Sequence, residues 1–113
     1  MIQSVISKPI QFLGDSLDAL RGFPDKIRQR AGFELRAVQI GADPSDWKPM
    51  ASVGDSVREI RLRDATGAFR ILYVATLPDR VLVLHAFQKK SQKTADKDID
   101  LARQRLKTWR AAR

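Results

Sequence analysis

The stretch Val57–Thr94, which reads VREIRLRDATGAFRILYVATLPDRVLVLHAFQKKSQKT, predicts three consecutive β-strands. In the first run, Val57 to Arg63, apolar and charged residues alternate, which is the period of a half-buried strand. The second run, Phe69 to Ala75, and the third, Val81 to Phe87, are apolar on both faces apart from one polar residue in each. Two neighbouring strands of this kind indicate the centre of a sheet that is covered on at least one side.

Turn signals separate the three runs and predict an antiparallel arrangement. Ala65–Gly67 ends in a glycine that is free to take a positive φ, and Leu77–Arg80 contains a Pro-Asp pair. The polar residues inside the apolar runs are Arg70 and His85. Their burial is costly unless they face water, a partner or a ligand. The middle of the predicted sheet therefore carries basic side chains that need an explanation.

The N-terminal part predicts an edge strand and a short helix. Pro9 cannot donate to a β-ladder, so a strand within Met1–Leu13 lies at a sheet edge or is broken at that residue. A helix is predicted over Ser16–Arg21, with Asp15 or Ser16 as its N-cap.

A second helix is predicted from Pro24, as its first residue, to Ile40, with Gly41 just beyond its end. Its apolar residues recur at helical spacing, so the helical pair packs on one face of the sheet. The cations on its other faces are either solvated or in contact with RNA.

A loop is predicted over Gly41–Asp55 because Gly, Pro, Asp and Ser dominate this segment. Trp47 within it either anchors the loop on the core or offers a base-stacking surface, with Lys48 on a phosphate. A third helix follows Thr94, which is predicted as its N-cap. The narrow apolar stripe of that helix docks on the core of the chain or forms part of a partner surface. The stripe consists of Ile99, Ala102, Leu106 and Trp109.

Length and composition bound the possible functions. The chain has 113 residues, 21 Lys and Arg against 13 Asp and Glu, and a net charge of +8, so one domain over 1–113 with a polyanionic partner is expected. Nucleic acid is the first candidate, an acidic protein suits the charge equally well, and a basic soluble protein without such a partner is the alternative. One His and no Cys predict no zinc site, cofactor or disulfide. With neither a long apolar run nor a signal peptide, we expect a cytoplasmic protein without membrane contact.

Several of these segments together resemble the RelE-like toxins of bacterial toxin–antitoxin systems. They are WKPM, VREIRLRD, GAFRILYVA and VLVLHAFQKKSQKT, and they occur in the order and at the spacing typical of the HigB-type, phage-derived branch. The resemblance implies an α+β, RelE-like fold. Its expected form is a small, mainly antiparallel sheet of about four strands, with two N-terminal helices on one face and a C-terminal helix.

The resemblance also implies a function and partners. It implies a ribosome-dependent endoribonuclease that cleaves messenger RNA and is held inactive by a cognate antitoxin, in this branch a helix-turn-helix, HigA-like protein. Cleavage without metal uses the ribose 2′-hydroxyl as nucleophile, and it needs a base, an acid and cations for the charge on phosphorus. One His excludes a two-histidine mechanism.

The resemblance assigns catalytic roles to four cationic positions. By position Arg61, Arg63 and Arg70 match basic residues of the family's strands, and Lys89 or Lys90 matches the basic residue after the last strand. Arg suits a phosphate clamp because its planar fork binds phosphate oxygens in pairs. The alternative for Arg61 and Arg63 is a solvated strand face.

The remaining candidates are His85 and three lysines. His85 is a candidate acid or base, since its pKa can lie near neutrality, or it is a core histidine if it faces the packed helices. Lys48, Lys90 and Lys93 are candidate RNA-binding residues. Tyr73, the only tyrosine, is predicted to lie in the core.

Three classes of function remain open from sequence. They are a ribosome-dependent endonuclease toxin, a non-catalytic module that binds RNA or the ribosome, and a co-repressor whose basic surface binds an acidic antitoxin.

Overall fold

A computed structural model gives the fold of residues 7–113; residues 1–6, which include Val5 and Ile6 of the predicted N-terminal strand segment, lie outside the described residues. Five strands and three helices follow one another along the described chain. They are β1 (Ile10–Phe12), α1 (Ser16–Arg21), α2 (Asp25–Gln39), β2 (Trp47–Pro49), β3 (Val57–Asp64), β4 (Gly67–Val74), β5 (Val81–Lys89) and α3 (Asp96–Ala111).

The strands form one mixed sheet in the order β1-β5-β4-β3-β2. The pairings from β2 through β3 and β4 to β5 are antiparallel, whereas β1 pairs in parallel with β5 at the edge. Pro9 directly precedes β1 and has no N–H to donate to the β-ladder. Its carbonyl accepts a hydrogen bond from the Val81 N–H. The α+β class and the mainly antiparallel sheet are confirmed, with five strands where about four were expected.

The additional strand lies in the segment that the sequence predicted as a loop. In β2, Trp47 is the register partner of Ile60 and Lys48 that of Glu59. The strand forms because the chain returns alongside the free edge of β3, and three residues are too few for a period to be read from sequence. Trp47 is half-buried under the guanidinium of Arg58, whose Cζ lies 4.1 Å from the ring centroid.

The helices begin and end close to their predicted limits. The bounds of α1 are as predicted, and its N-cap is Asp15, which makes no side-chain capping hydrogen bond. Pro24 is the N-cap of α2 rather than its first helical residue, and Gly41 follows the helix with a φ of 88°. Thr94 is not the N-cap of α3; that position belongs to Ala95, whose side chain cannot cap.

The helices cover both faces of the sheet. On one face, α1 and α2 pack on a core that includes Ile60, Ile71 and the fully buried Tyr73, as predicted for that residue. On the other face, α3 packs through Ala102 and Leu106 on a second cluster from β4 and β5. The apolar stripe of α3 therefore docks on the core of the chain itself. Because successive strand residues point to opposite faces, two helical layers require strands that are apolar on both faces.

A bulge in β5 changes which face its residues occupy. Leu72 pairs with His85 but the next residue, Tyr73, pairs with Val83, so Leu84 is an additional residue in β5. Val83 consequently faces α1 and α2, whereas His85 and Phe87 face the α3 side. Strict alternation along β5 would place Val83, His85 and Phe87 on one face, but the bulge shifts the alternation by one residue and separates Val83 from the other two.

Candidate functional site

A basic depression lies on the α3 side of the sheet, where α3 leaves the ends of β3, β4 and β5 uncovered. Four of the eight residues that line it are cations from the strands, and another is a lysine from the loop after β5. The lining consists of Arg61, Arg63, Ala68, Arg70, Lys89, Lys90, Ser91 and Gln92. None of these eight residues carries a carboxylate, so the depression suits an anion.

The strand register explains why these cations converge. Arg61 is the register partner of Arg70, and Ala68 lies between Arg63 and Lys89 in the next row of the sheet. Residues in register share a face, so all four cations point to the same side. The methyl group of Ala68 fills little of the space between its two long neighbours, which leaves the depression open.

Glu59 is the residue whose role at this site the sequence did not reveal. Its carboxylate is 1% exposed and lies 3.4 Å from Nε of Arg70, which is itself 2% exposed. The hydroxyl of Thr94, just before α3, lies 3.5 Å from the other carboxylate oxygen and donates to it. A buried carboxylate is costly unless it is paired, so this ion pair accounts for the burial of both charges. The pair joins β3 to β4, and the hydrogen bond from Thr94 connects it to the segment before α3.

The surroundings of Arg70 orient its guanidinium towards the depression. Nη1 donates to the Phe69 carbonyl at 3.0 Å, while Nε faces Glu59. Nη2 makes no hydrogen bond within residues 7–113, and Arg70 forms part of the lining. Burial lowers the pKa of Arg70, although the charge of Glu59 opposes this effect. Arg70 is therefore a fixed cation at the floor of the depression.

Lys89 lines the depression, and its surroundings lower its pKa. Partial burial is the largest cause that lowers its pKa from the ordinary value of 10.5, and the charge of Arg70 lowers it further. The more distant charges of Lys48 and Arg61 act in the same direction, whereas Glu59 raises the pKa. A lysine with a lowered pKa releases its proton more readily, which suits a general acid.

His85 is not brought into the depression. Its side chain lies beneath the first turn of α3, 7% exposed, and stacks on Phe87 with 4.8 Å between the ring centroids. Nε2 is 2.7 Å from a carboxylate oxygen of Asp98, and Nδ1 is buried and makes no hydrogen bond with the part of the chain that the structure describes. These contacts connect β5 to α3, and they match a structural histidine at least as well as the catalytic role that remains a prediction.

The three lysines predicted to bind RNA occupy different places. Lys90 lines the depression, and Lys48 is exposed on β2, on the same face of the sheet as Glu59. Lys93 is exposed in the loop before α3 and does not belong to the lining. The lining of the depression therefore includes one of the three predicted lysines.

Glu59 and Asp64 are the carboxylates closest in sequence to Arg61 and Arg63, and neither forms an ion pair with them. Glu59 pairs instead with Arg70, and Asp64 accepts hydrogen bonds from the amide and hydroxyl of Thr66 in the turn. The available signal was the position of Glu59 two residues before Arg61, on the same strand face. The sequence does not contain the register of β4, which places Arg70 diagonally opposite Glu59.

Within residues 7–113 no group of three or more His, Cys, Asp or Glu side chains could hold a metal ion. In the same part of the chain, every helix is too short or too polar to cross a membrane. What the depression offers chemically is three guanidinium groups, of which that of Arg70 is held in place by its contacts, and a lysine with a lowered pKa. Such a set binds phosphate oxygens and stabilises negative charge that develops on them.

A five-stranded sheet between helical layers, with a cation-lined depression on one face, defines a small α+β protein with a strongly basic surface. Residues 18–107 match the family described as phage derived protein Gp49-like (DUF891). Because the match spans most of the chain, the chain belongs to this family, which is a toxin-like family of toxin–antitoxin systems, similar to RelE and ParE. No curated protein matches the chain.

Proposed function

We propose that this chain is the toxin of a type II toxin–antitoxin system and that it cleaves messenger RNA on the ribosome. The observation that carries the proposal is the basic depression, where Arg61, Arg63, Arg70 and Lys89 converge in a lining without a carboxylate. Membership in a toxin-like family supports the same function. The proposed place of action is the cytoplasm, where ribosomes translate.

In the proposed reaction the ribose 2′-hydroxyl attacks the adjacent phosphorus. The bond from phosphorus to the 5′-oxygen breaks, leaving a 2′,3′-cyclic phosphate on one fragment and a 5′-hydroxyl on the other. Arg61, Arg63 and Arg70 stabilise the charge on the phosphorane oxygens. Lys89 donates the proton that the leaving 5′-oxygen takes up, since partial burial and the charge of Arg70 lower its pKa from the ordinary value and ease release of the proton. The proton of the 2′-hydroxyl passes to a base of the ribosomal complex or to solvent.

The proposed partners are the ribosome with its messenger RNA and a cognate antitoxin. The resemblance to the HigB-type branch supports a helix-turn-helix, HigA-like antitoxin. The reaction needs no small-molecule cofactor, because every charge and proton that it requires comes from side chains, RNA or solvent.

The experiment that tests the proposal compares expressed variants for growth and for new 5′ ends in abundant messages, mapped by primer extension. Arg61→Ala and Lys89→Ala are suitable variants because neither side chain belongs to the buried ion pair. Arg70→Ala is less informative, since it leaves Glu59 buried without its cation. Arg110→Ala removes an exposed cation from α3 outside the depression and is the matched control.

We expect the wild type and Arg110→Ala to arrest growth and to produce discrete ends within translated regions. Arg61→Ala and Lys89→Ala should do neither while remaining folded by circular dichroism. Intact messages in arrested wild-type cells would exclude cleavage. Cleavage that survives in both depression variants would exclude this depression as the site.

A second candidate function is RNA or ribosome binding without cleavage. The observation that favours it is that no carboxylate or imidazole lines the depression, so the described lining holds no ordinary general base. In that case messages stay intact, yet the protein binds RNA, and the logarithm of the affinity falls with the logarithm of salt with a slope of about −0.7 per phosphate contacted.

A further inference from the structure

The side of α2 that faces away from the core carries two exposed apolar side chains. Phe33 is 73% exposed and Ile40, at the C-terminal cap, is 43% exposed; they are the two most exposed large hydrophobic residues in the described part of the chain. They are seven residues apart, close to two helical turns, so they lie on one line along the helix. A Cβ at the adjacent Gly32 would meet nothing within 4 Å, so the surface beside Phe33 is open.

Cations surround these two side chains. Lys26 lies on the same line, seven residues before Phe33. Arg30 and Arg36 flank Phe33, three residues before it and three residues after it. Arg30 donates to the Arg63 carbonyl and Arg36 to the Ser7 hydroxyl. No carboxylate within residues 7–113 forms an ion pair with Arg30, Arg36 or Lys26. The nearest effect on a carboxylate is that the charges of Arg30 and Lys26 contribute to the lowered pKa of Asp64.

The acidic residue in this part of α2 is turned towards the interior. The carboxylate of Glu34 accepts hydrogen bonds from the amide and the hydroxyl of Ser45, both at 2.7 Å, and the residue is 8% exposed. It therefore neutralises none of the three cations at the surface. The result is an apolar line with a positive border on a helix whose outer side no other described element covers.

We propose that this surface of α2, formed by Lys26, Arg30, Phe33, Arg36 and Ile40, is a docking surface for an acidic amphipathic helix of a partner protein. The spacing of Phe33 and Ile40 matches successive apolar contacts two turns apart on a helix laid alongside. Glutamates or aspartates flanking those contacts pair with the cationic border. A protein fits better than RNA, because the side chain of Ile40 has no flat face on which a base can stack.

This surface is separate from the basic depression. The depression lies on the α3 side of the sheet and α2 packs on the opposite side, although Arg30 of the α2 surface donates to the carbonyl of Arg63, whose side chain lines the depression. A helix bound to α2 leaves the depression open to RNA. The inference therefore does not depend on the reaction proposed for the depression, and the two can fail separately.

The test uses an acidic amphipathic peptide of about 20 residues. It has leucines at helical spacing and glutamates on both flanks, and it is titrated into the full chain labelled with nitrogen-15. A second peptide with the same leucines and with lysine in place of each glutamate is the control ligand. Phe33→Ala is the test variant, and Leu101→Ala, which removes an exposed apolar side chain of α3, is the control variant. Both substitutions are at exposed positions, so both chains should fold.

The expected result is that the acidic peptide shifts amide resonances along α2. Phe33→Ala should weaken its binding by about tenfold or more, as removal of a central aromatic contact does. Leu101→Ala should leave the affinity unchanged, and a single-stranded RNA oligonucleotide should bind at the same time rather than compete.

Four results would overturn the proposal. The first is the absence of shifts at millimolar acidic peptide. The second is equal binding of the lysine peptide, since charge would then play no part. The third is displacement of the acidic peptide by RNA. The last is self-association of the chain that Phe33→Ala abolishes, which would assign the surface to a second copy.

Discussion

The buried ion pair between Glu59 and Arg70 gives the most quantitative prediction. Replacing Arg70 by Met removes the cation and leaves a carboxylate that is 1% exposed, for which the Thr94 hydroxyl at 3.5 Å is the one remaining hydrogen-bond donor within residues 7–113. Removal of one partner of a buried ion pair costs about 3–5 kcal/mol in free energy of unfolding. For a chain of this size the midpoint of thermal unfolding should fall by roughly 10–20 °C.

The double variant Glu59→Leu/Arg70→Met separates a coupled pair from two independent side chains. Apolar replacements of both partners remove the buried charge altogether, so we expect the double variant to recover at least about 2 kcal/mol relative to Arg70→Met alone. Urea unfolding followed by circular dichroism measures these free energies, provided that the denaturant dependence stays constant across the series.

Arg61→Ala is the matched control, since it removes a half-buried arginine of the same face that has no ion-pair partner in the described chain. Its effect should stay within about 0.5 kcal/mol. Suppose instead that the loss of unfolding free energy in the double variant equals the sum of the losses in Glu59→Leu and in Arg70→Met, each measured alone. The two side chains are then not coupled, and their pairing does not account for their burial.

Three further predictions concern single side chains. RNA affinity should fall with rising pH at a pH below 10.5, because the pKa of Lys89 is lowered and deprotonation removes a cation; a binding titration of Lys89→Gln should lack this step. His85→Ala should cost about 1–3 kcal/mol in urea unfolding, because Asp98 loses its partner. An unchanged RNA affinity in that variant would assign His85 a structural role, and a large loss would refute it. Gly67→Ala should destabilise by about 1–3 kcal/mol, since its φ of 137° disfavours a side chain, whereas Gly32→Ala, in open helical space, should not destabilise.

Much of the candidate site was predictable, because the alternation of side chains along a strand depends only on neighbouring residues. Arg61 and Arg63 are two residues apart on a strand, so the sequence places them on one face whatever the partner strand does. Arg70 and Lys89 were recognised as basic residues in or beside apolar strands. Their convergence with the first two needed the register of β3, β4 and β5, which no local pattern contains.

The role of His85 shows where a local pattern misleads. Strict alternation along β5 would place Val83, His85 and Phe87 on one face, but the additional residue Leu84 shifts the alternation, so Val83 faces the opposite side from His85 and Phe87. A bulge depends on how two strands fit across the sheet, and nothing in the sequence of β5 alone marks it.

The sequence by itself determined the central strands, the three helices, the excess of positive charge and the identity of the cations, because strand and helix periods and charge are properties of neighbouring residues. The tertiary structure alone decided the ion pair of Glu59 with Arg70, the strand β2, and the placement of α3 opposite α1 and α2. These features join residues far apart in the chain. They are selected by the burial of apolar surface and the pairing of buried charge over the whole molecule, which no short segment can express.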